Sequence, residues 1–293
     1  MVRAQRACEA CWDPAFAACL AIALEPTCWR GLGTVSRLRD HSDKKLQDFI
    51  ALSHVLRPFF EKLASVPERP GSIGFLLPSM TRVMMRLMGT NTSFGSIFLL
   101  YYNVAAAYKT PVRKGLREVC TKALSLLLMD DPRWYYTALS VSSPSFTRKM
   151  RTTLYPDITD PPDIERFFRA RGAKQNTLLR LNMLDPVSRE AIEAFVTTSR
   201  EAEKLIKSIG CRIPDSKLID ELHSMFASQR IDYLVYRRKG LKRAMELMRK
   251  HPRLTGEKES MGSIADLTVL TLYYYLLQCS AVWADKMLIP KLW

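Results

Sequence analysis

Four short segments carry residue types suited to chemistry. Gly89-Thr90-Asn91-Thr92-Ser93-Phe94-Gly95 sets small hydrogen-bonding residues between two apolar stretches. Asn, Thr and Ser are natural helix N-caps, and a helix N-terminus with free N–H groups is a ready anion site. The plainer alternative is a helix–helix corner capped by Thr92 or Ser93. Ser36-Arg37-Leu38-Arg39-Asp40 offers two guanidinium groups suited to bidentate phosphate recognition. Asp40 could orient one of them, bind Mg²⁺ or accept a proton; otherwise the segment is a solvated charged loop. Asp232-Tyr233-Leu234-Val235-Tyr236-Arg237-Arg238-Lys239-Gly240 places an acid beside a basic cluster, within a Lys/Arg-rich region from Arg230 to Arg253. It suits a polyphosphate pocket, a nucleic-acid face or an exposed helix surface. Gly262-Ser263-Ile264-Ala265-Asp266 puts one carboxylate at the start of an apolar terminal stretch. There it can do chemistry or simply complement the helix dipole.

Several chemistries lack the residues they need. His41, His54, His223 and His251 stand at no metal-ligand spacing. No G-x-S-x-G elbow occurs, and none of the 12 glycines forms a G-x-G-x-x-G or Walker arrangement. Cys8, Cys11, Cys19 and Cys28 crowd the N-terminus, while Cys120, Cys211 and Cys279 are isolated. The Cys8/Cys11 pair could begin a zinc site, but the next cysteines lie at no standard spacing. The expectation is reduced, buried, apolar-like side chains. A net charge of +15 attracts anions, whether nucleic acid, phosphorylated small molecules or acidic membrane.

The elements that must position these residues read as helices. With 293 residues, 47% of them apolar and 25% charged, the chain can bury a large core. From Asp43, taken as an N-cap, Leu46, Phe49, Ile50, Leu56, Phe60 and Leu63 mark one helical face, with Pro58 kinking or restarting it. Helical periodicity recurs over Ser72–Met88, with Pro78 as a second possible kink, and over Val112–Met129, Ser188–Ile209 and Ser216–Ala227. Ile264–Ala284 is apolar nearly all round and belongs at the centre of the core. No convincing strand or hairpin pattern occurs, nor do alternating βα units. The expectation is an all-α fold, a single multi-helical, bundle-like domain over residues 1–293. Loops cover Arg30–Ser42 and Val66–Gly71, with a long loop excursion over 142–163. No apolar run approaches the ~20 residues that span a bilayer, so membrane insertion is not expected. No export signal is recognisable, which points to the cytoplasm.

Taken in order, these segments resemble the triphosphoribosyl-dephospho-CoA synthase family, particularly its archaeal-type members. The matching stretches are Ala18-Cys-Leu-Ala-Ile-Ala-Leu-Glu25-Pro-Thr, Val35-Ser-Arg-Leu-Arg-Asp40, Asp48-Phe-Ile-Ala-Leu-Ser53, Gly71-Ser-Ile-Gly74, Gly89–Gly95, Asp232–Gly240 and Gly262-Ser-Ile-Ala-Asp-Leu267. Gly-Thr-Asn-Thr and Gly-x-x-Ala-Asp-Leu are the more specific elements. The chain departs from the family where Lys-Pro-Gly-Asn-Val is usual: here the stretch is Cys28-Trp-Arg-Gly-Leu-Gly-Thr-Val35. Bacterial members carry His in the Asn-Thr-x-x-Gly motif, where this chain has Ser93, and Pro132–Gln175 resembles the family little.

The resemblance implies transfer of a triphosphoribosyl group from ATP to dephospho-CoA with release of adenine. ATP would be a substrate, Mg²⁺ a partner of its phosphates, and nucleotide and CoA-like molecules the ligands. Arg37, Arg39, Gly89, Thr90, Asn91, Thr92, Gly95, Arg237, Arg238 and Lys239 would then bind substrate. Glu25, Asp40, Asp232 and Asp266 would be the candidate catalytic acids. A related transferase acting on another phosphorylated or CoA-like substrate, or a nucleic-acid-binding helical protein, are the alternatives.

Overall fold

Two helices that are apolar on every side set the architecture, because such helices are stable only when other helices surround them. In the computed structural model they are α4 (Phe94–Lys109) and α13 (Gly262–Met287), and they pack against each other. The structure describes residues 13–31, 33–110, 115–142, 156–171, 179, 183–250 and 261–287. Around the central pair lie α1 (Pro14–Leu24), α2 (Leu46–Lys62), α3 (Leu77–Met88), α5 (Leu116–Met129), α6 (Pro132–Ser142) and α7 (Pro161–Arg171). They are followed by α8 (Pro186–Ile192), α9 (Val196–Ile209), α10 (Ser216–Gln229), α11 (Tyr233–Lys239) and α12 (Leu241–Lys250). Helix α13 touches α1, α4, α8, α9, α10 and α11, so the expected central position holds. Among the described residues there is no strand, and no helix is long and apolar enough to cross a membrane.

Tyrosines lock the central pair. Tyr273 Oη donates to Asn103 O at 3.1 Å, and Tyr274 Oη donates to Asn103 Oδ1. Asn103 Nδ2 in turn donates to Leu99 O at 2.8 Å. Tyr101 Oη reaches Ile73 O at 2.5 Å, and Tyr102 Oη reaches Asp130 Oδ2 at 2.7 Å. Each ring adds a large apolar burial while its hydroxyl is satisfied. Asp130 also accepts the Ile73 N–H at 3.1 Å. Gly74 lies against it because a Cβ there would collide with Asp130 Oδ2. That packing gives Gly71-Ser-Ile-Gly74 a structural role.

Several expected boundaries move. Helix α2 begins at Leu46, where the Asp48 carboxylate takes the Lys45 N–H at 2.7 Å, and Asp43 is not its cap. It runs through Pro58 without restarting. Helix α3 begins at Leu77, so Pro78 falls in its first turn, where a missing N–H costs nothing. The single helix expected over Ser188–Ile209 is two. Ala194 and Phe195 take left-handed φ values of 58° and 57° between α8 and α9. The break is held because Glu190 Oε1 accepts Thr198 N and Oγ1 at 2.8 and 2.9 Å, capping α9, and because Phe195 is fully buried. The excursion expected over 142–163 gives way to helix at both of its edges. Ser142 is the last described residue of α6, and Pro161-Pro162-Asp163 opens α7 with proline at its N-terminus and an acid in its first turn. Residues 143–155, with Pro144, lie outside the described residues, as do Cys8, Cys11, His251, Arg253 and the start expected for α5 at Val112.

Cys211 and Cys279, expected as separate buried thiols, form a disulfide with Cα atoms 5.1 Å apart. Their 68-residue separation hides the pairing in the sequence, since only the fold brings them together. Tyr275 Oη donates to Gly210 O at 2.7 Å from the same helix, so the 210–212 turn is tied to α13 twice. In the chain-entropy account, closing such a loop is worth about 4 kcal/mol, with measured bridges usually at about 2–4. The double variant Cys211→Ser/Cys279→Ser should lose that much stability in urea unfolding, and reductant should have no further effect on it. Cys19, Cys28 and Cys120 are free and buried.

Candidate active site

The chain between α1 and α2 folds as two tight turns. Ser36 and Arg39 exchange backbone hydrogen bonds at 2.9 and 3.2 Å; His41 and Lys44 do so at 2.9 and 3.5 Å. The first turn carries Arg37 and Leu38 outward, exposed. The second turns His41, Asp43 and Lys44 toward the start of α4. Gly89 ends α3 in the left-handed conformation (φ 68°), which lets the chain reverse at once. Ser93 stands at the N-cap of α4, as one of the two expected residues, but its side chain makes no capping bond; Asn91 Oδ1 instead accepts the Phe94 N–H at 3.1 Å. Thr90 Oγ1 donates to Asp43 Oδ2 at 3.0 Å, and Lys44 Nζ donates to Asn91 O at 2.5 Å, pinning the two loops together.

These loops wall a cavity of about 480 Å³, within the range of small-molecule sites. Of the residues singled out in the sequence, Glu25, Gly89, Thr90, Asn91, Thr92, Gly95, Arg237, Arg238 and Asp266 line it. Arg37, Arg39, Asp40 and Lys239 do not. Asp40 Oδ1 instead accepts the Leu46 N–H at 3.2 Å, and Lys239 is exposed at the end of α11. Asp232 sits behind the wall. Its Oδ1 caps α11 through Val235 N at 3.0 Å, and its Oδ2 accepts Ser263 N at 2.9 Å and Ile264 N at 3.3 Å. One carboxylate thus holds the first turns of α11 and α13 together. Asp232→Ala would strand three buried N–H groups and is expected to cost about 2–4 kcal/mol in urea unfolding.

Asp266 is the acid the cavity is built around. Ser96 Oγ, in the first turn of α4, donates to its Oδ1 at 2.5 Å. The α4 backbone approaches so closely that a Cβ on Gly95 would fall within 3.0 Å of Asp266 Oδ2. Burial, reinforced by the nearby Asp185 and Glu25 carboxylates, pushes the Asp266 carboxyl up to about 7 against the Ser96 hydrogen bonds. Asp185 Oδ2 accepts Ser188 N and Oγ, capping α8 at the cavity edge. Burial raises its carboxyl too.

Cations face these acids. Burial lowers the Lys44 ammonium, with Arg238 adding to the effect and Asp43 and Asp266 opposing it. Arg237 approaches the Tyr233 ring, 5.8 Å from its centroid. The N-terminal turns of α4 and α13, through Ser93–Ser96 and Gly262–Ser263, point positive dipole ends at the same space. Phe94, Phe98, Tyr135 and Tyr136 form an aromatic side, with Phe98 and Tyr135 centroids 4.7 Å apart.

His41, Asp43, Lys44, Ser96, Asp185, Tyr135 and Tyr136 were not among the residues expected from the sequence. Asp185-Pro186-Val187-Ser188 does carry a signal, an acid before a proline-started helix. Asp43 and Lys44 resemble an ordinary helix start, and nothing local distinguishes them.

Cationic arms, two helix N-termini and a perturbed acid surround one cavity in an all-α body, an arrangement suited to an anionic ligand. The chain belongs to the ATP:dephospho-CoA triphosphoribosyl transferase family, whose model matches residues 11–284. No curated protein and no solved structure matches it.

Proposed function

We propose that this chain transfers the triphosphoribosyl group of ATP to dephospho-CoA within the cavity between α4, α11 and α13. The observation that carries the reading is the gathering of Asp266, Lys44, Arg237, Arg238 and the α4 N-terminus around one cavity. The N-glycosidic bond of ATP breaks and its electron pair leaves with adenine. A new bond forms between the ribose C1′ and the acceptor's ribose 2′-hydroxyl oxygen. The hydroxyl proton passes to a carboxylate, and a proton reaches the departing base.

Asp266 fits the base best. Near pH 7 a carboxyl with a pKa of about 7 is both partly ionised and basic enough to take a proton. Glu25, buried in the cavity wall, suits stabilisation of the oxocarbenium-like carbon in the transition state. Lys44, Arg237, Arg238 and the positive N-terminal turns of α4 and α13 suit the triphosphate. The ring wall of Phe98, Tyr135 and Tyr136 suits the adenine face, and Asn91, whose Oδ1 is committed to Phe94, has its Nδ2 donor to offer.

The donor set also fits Mg²⁺. This ion is commonly held by one or two carboxylates together with substrate phosphates, and Asp185 on the cavity wall is a hard oxygen donor that leaves Asp266 to its proton transfer. With ATP bound, Mg²⁺ would neutralise phosphate charge beside it.

Incubation with MgATP and dephospho-CoA should release one adenine per CoA derivative formed. Asn91→Ala should bind MgATP more weakly by isothermal titration. ATP binding without adenine release would sink the proposed acceptor, and absence of ATP binding would sink the site.

A further inference from the structure

Beside Glu25 lies a cluster, Cys28, Asp220 and His223, that the transfer reaction does not use. Helix α1 ends in a tight turn, Glu25–Thr27, with Cys28 N donating to Glu25 O at 3.4 Å. Glu25 and Cys28 are three residues apart. Facing them on α10 are Asp220 and His223, also three apart and so on one helix face. Cys28 Sγ, a carboxylate oxygen of Asp220 and a ring nitrogen of His223 lie within 4.8 Å of one another. Cys28 and His223 are fully buried, Glu25 nearly so, and Asp220 is half-buried.

The histidine is the telling residue. Its Nε2 lies 2.8 Å from Glu25 Oε1, an ion pair when the ring is protonated. Among the described residues, neither ring nitrogen, nor Glu25 Oε1, has a hydrogen-bond partner. A fully buried imidazole beside a carboxylate but without a hydrogen bond is costly to keep neutral and unliganded. A ligand on one nitrogen removes that cost, and a carboxylate beside the other is the usual outer partner of a metal-bound histidine. Asp220 is supported in the same way, accepting the backbone N–H groups of Arg30 at 3.0 Å and Gly31 at 3.3 Å.

We propose that Cys28, Asp220 and His223 bind a zinc ion, with Glu25 as the outer-shell partner of His223. Thiolate, imidazole and carboxylate together select a borderline ion such as Zn²⁺ over Mg²⁺ or Ca²⁺. With bonds of about 2.0–2.3 Å, tetrahedral zinc holds its ligand atoms about 3.4–3.8 Å apart. Drawing the three groups in by about 1 Å forms the site. The half-buried Asp220 edge admits water as a fourth ligand, and the Cys28 proton leaves as the ion binds. The ion would clamp the turn carrying Glu25 to α10. The site meets the transfer cavity only through Glu25, and zinc content is read without the adenine assay, so failure of one leaves the other to be judged by itself.

The full chain, stripped of metal under reducing conditions and titrated with Zn²⁺, should take up one equivalent by elemental analysis. The Cys8→Ser/Cys11→Ser variant should keep that equivalent; Cys28→Ser and Asp220→Asn should lose it while retaining the wild-type circular dichroism. Co²⁺ in place of Zn²⁺ should give a thiolate charge-transfer band that Cys28→Ser abolishes. Sub-stoichiometric zinc in the wild type, a full equivalent in Cys28→Ser, or loss only in Cys8→Ser/Cys11→Ser would overturn the proposal.

Discussion

Asp266→Asn is expected to lower kcat by about 10²–10⁴-fold, the usual contribution of a positioned general base. Asparagine keeps an oxygen for the Ser96 hydroxyl and removes only the basicity, so KM for ATP should change far less. In the wild type, kcat/KM should rise with pH and level off above about 7, where the carboxyl is ionised; the asparagine variant should lack that limb. Stability should move the other way. The Asp266 carboxyl, ordinarily near 3.8, titrates at about 7 when folded. Between those values the folded state binds more protons than the unfolded state, so the wild type loses stability as pH rises through that window. Each pH step of one across the window removes about 1.4 kcal/mol at most. Asp266→Asn has no charge to bury and should therefore be more stable than wild type at pH 8, with the difference vanishing near pH 4. Equal melting temperatures at pH 8, together with an unchanged pH profile, would show that Asp266 is not the ionising group.

Gly95→Ala is expected to be nearly as damaging through a different cause. The added methyl would overlap Asp266 Oδ2, and the backbone of α4 that carries it is packed on every side and cannot retreat. The carboxylate must swing away, and displacement of a catalytic group by about 1 Å can cost about 10²-fold. Overpacking adds about 1–3 kcal/mol of destabilisation. Gly89→Ala is the contrasting control: nothing lies near its Cβ, but its left-handed backbone would be strained. It should weaken the fold modestly and leave the pH profile unchanged. If Gly95→Ala keeps full activity, the contact between α4 and Asp266 does not position the acid.

The parts of the fold legible in the sequence are those governed by periodicity. Helices α4 and α13 lie in stretches whose apolar residues cover all sides, and such stretches have only one stable place. The break at Ala194 and Phe195 is illegible because neither residue favours a left-handed backbone; a buried ring and the Glu190 cap, which is a tertiary contact for α9, impose it. Local signals locate the inner wall of the cavity, Gly89–Gly95 and Asp266, since small polar residues and a lone acid stand out between apolar runs. They misplace Arg37, Arg39 and Asp40. A charged loop shows its composition but not which side of each turn faces inward. Asp232 resembles a candidate base because an acid beside arginines looks the same whether it faces substrate or caps two helices. Asp220 and His223 can be paired with Cys28 only once α10 is laid against the end of α1.

Helix α13 carries Asp266 in its second turn and is fastened 13 residues later by the Cys211–Cys279 bridge. It therefore behaves as a keyed shaft. Each residue inserted or deleted between those two points would rotate Asp266 by about 100° and shift it by about 1.5 Å relative to the α4 N-terminus. Loop lengths elsewhere can drift without moving the acid, whereas the spacing along this shaft sets where it points.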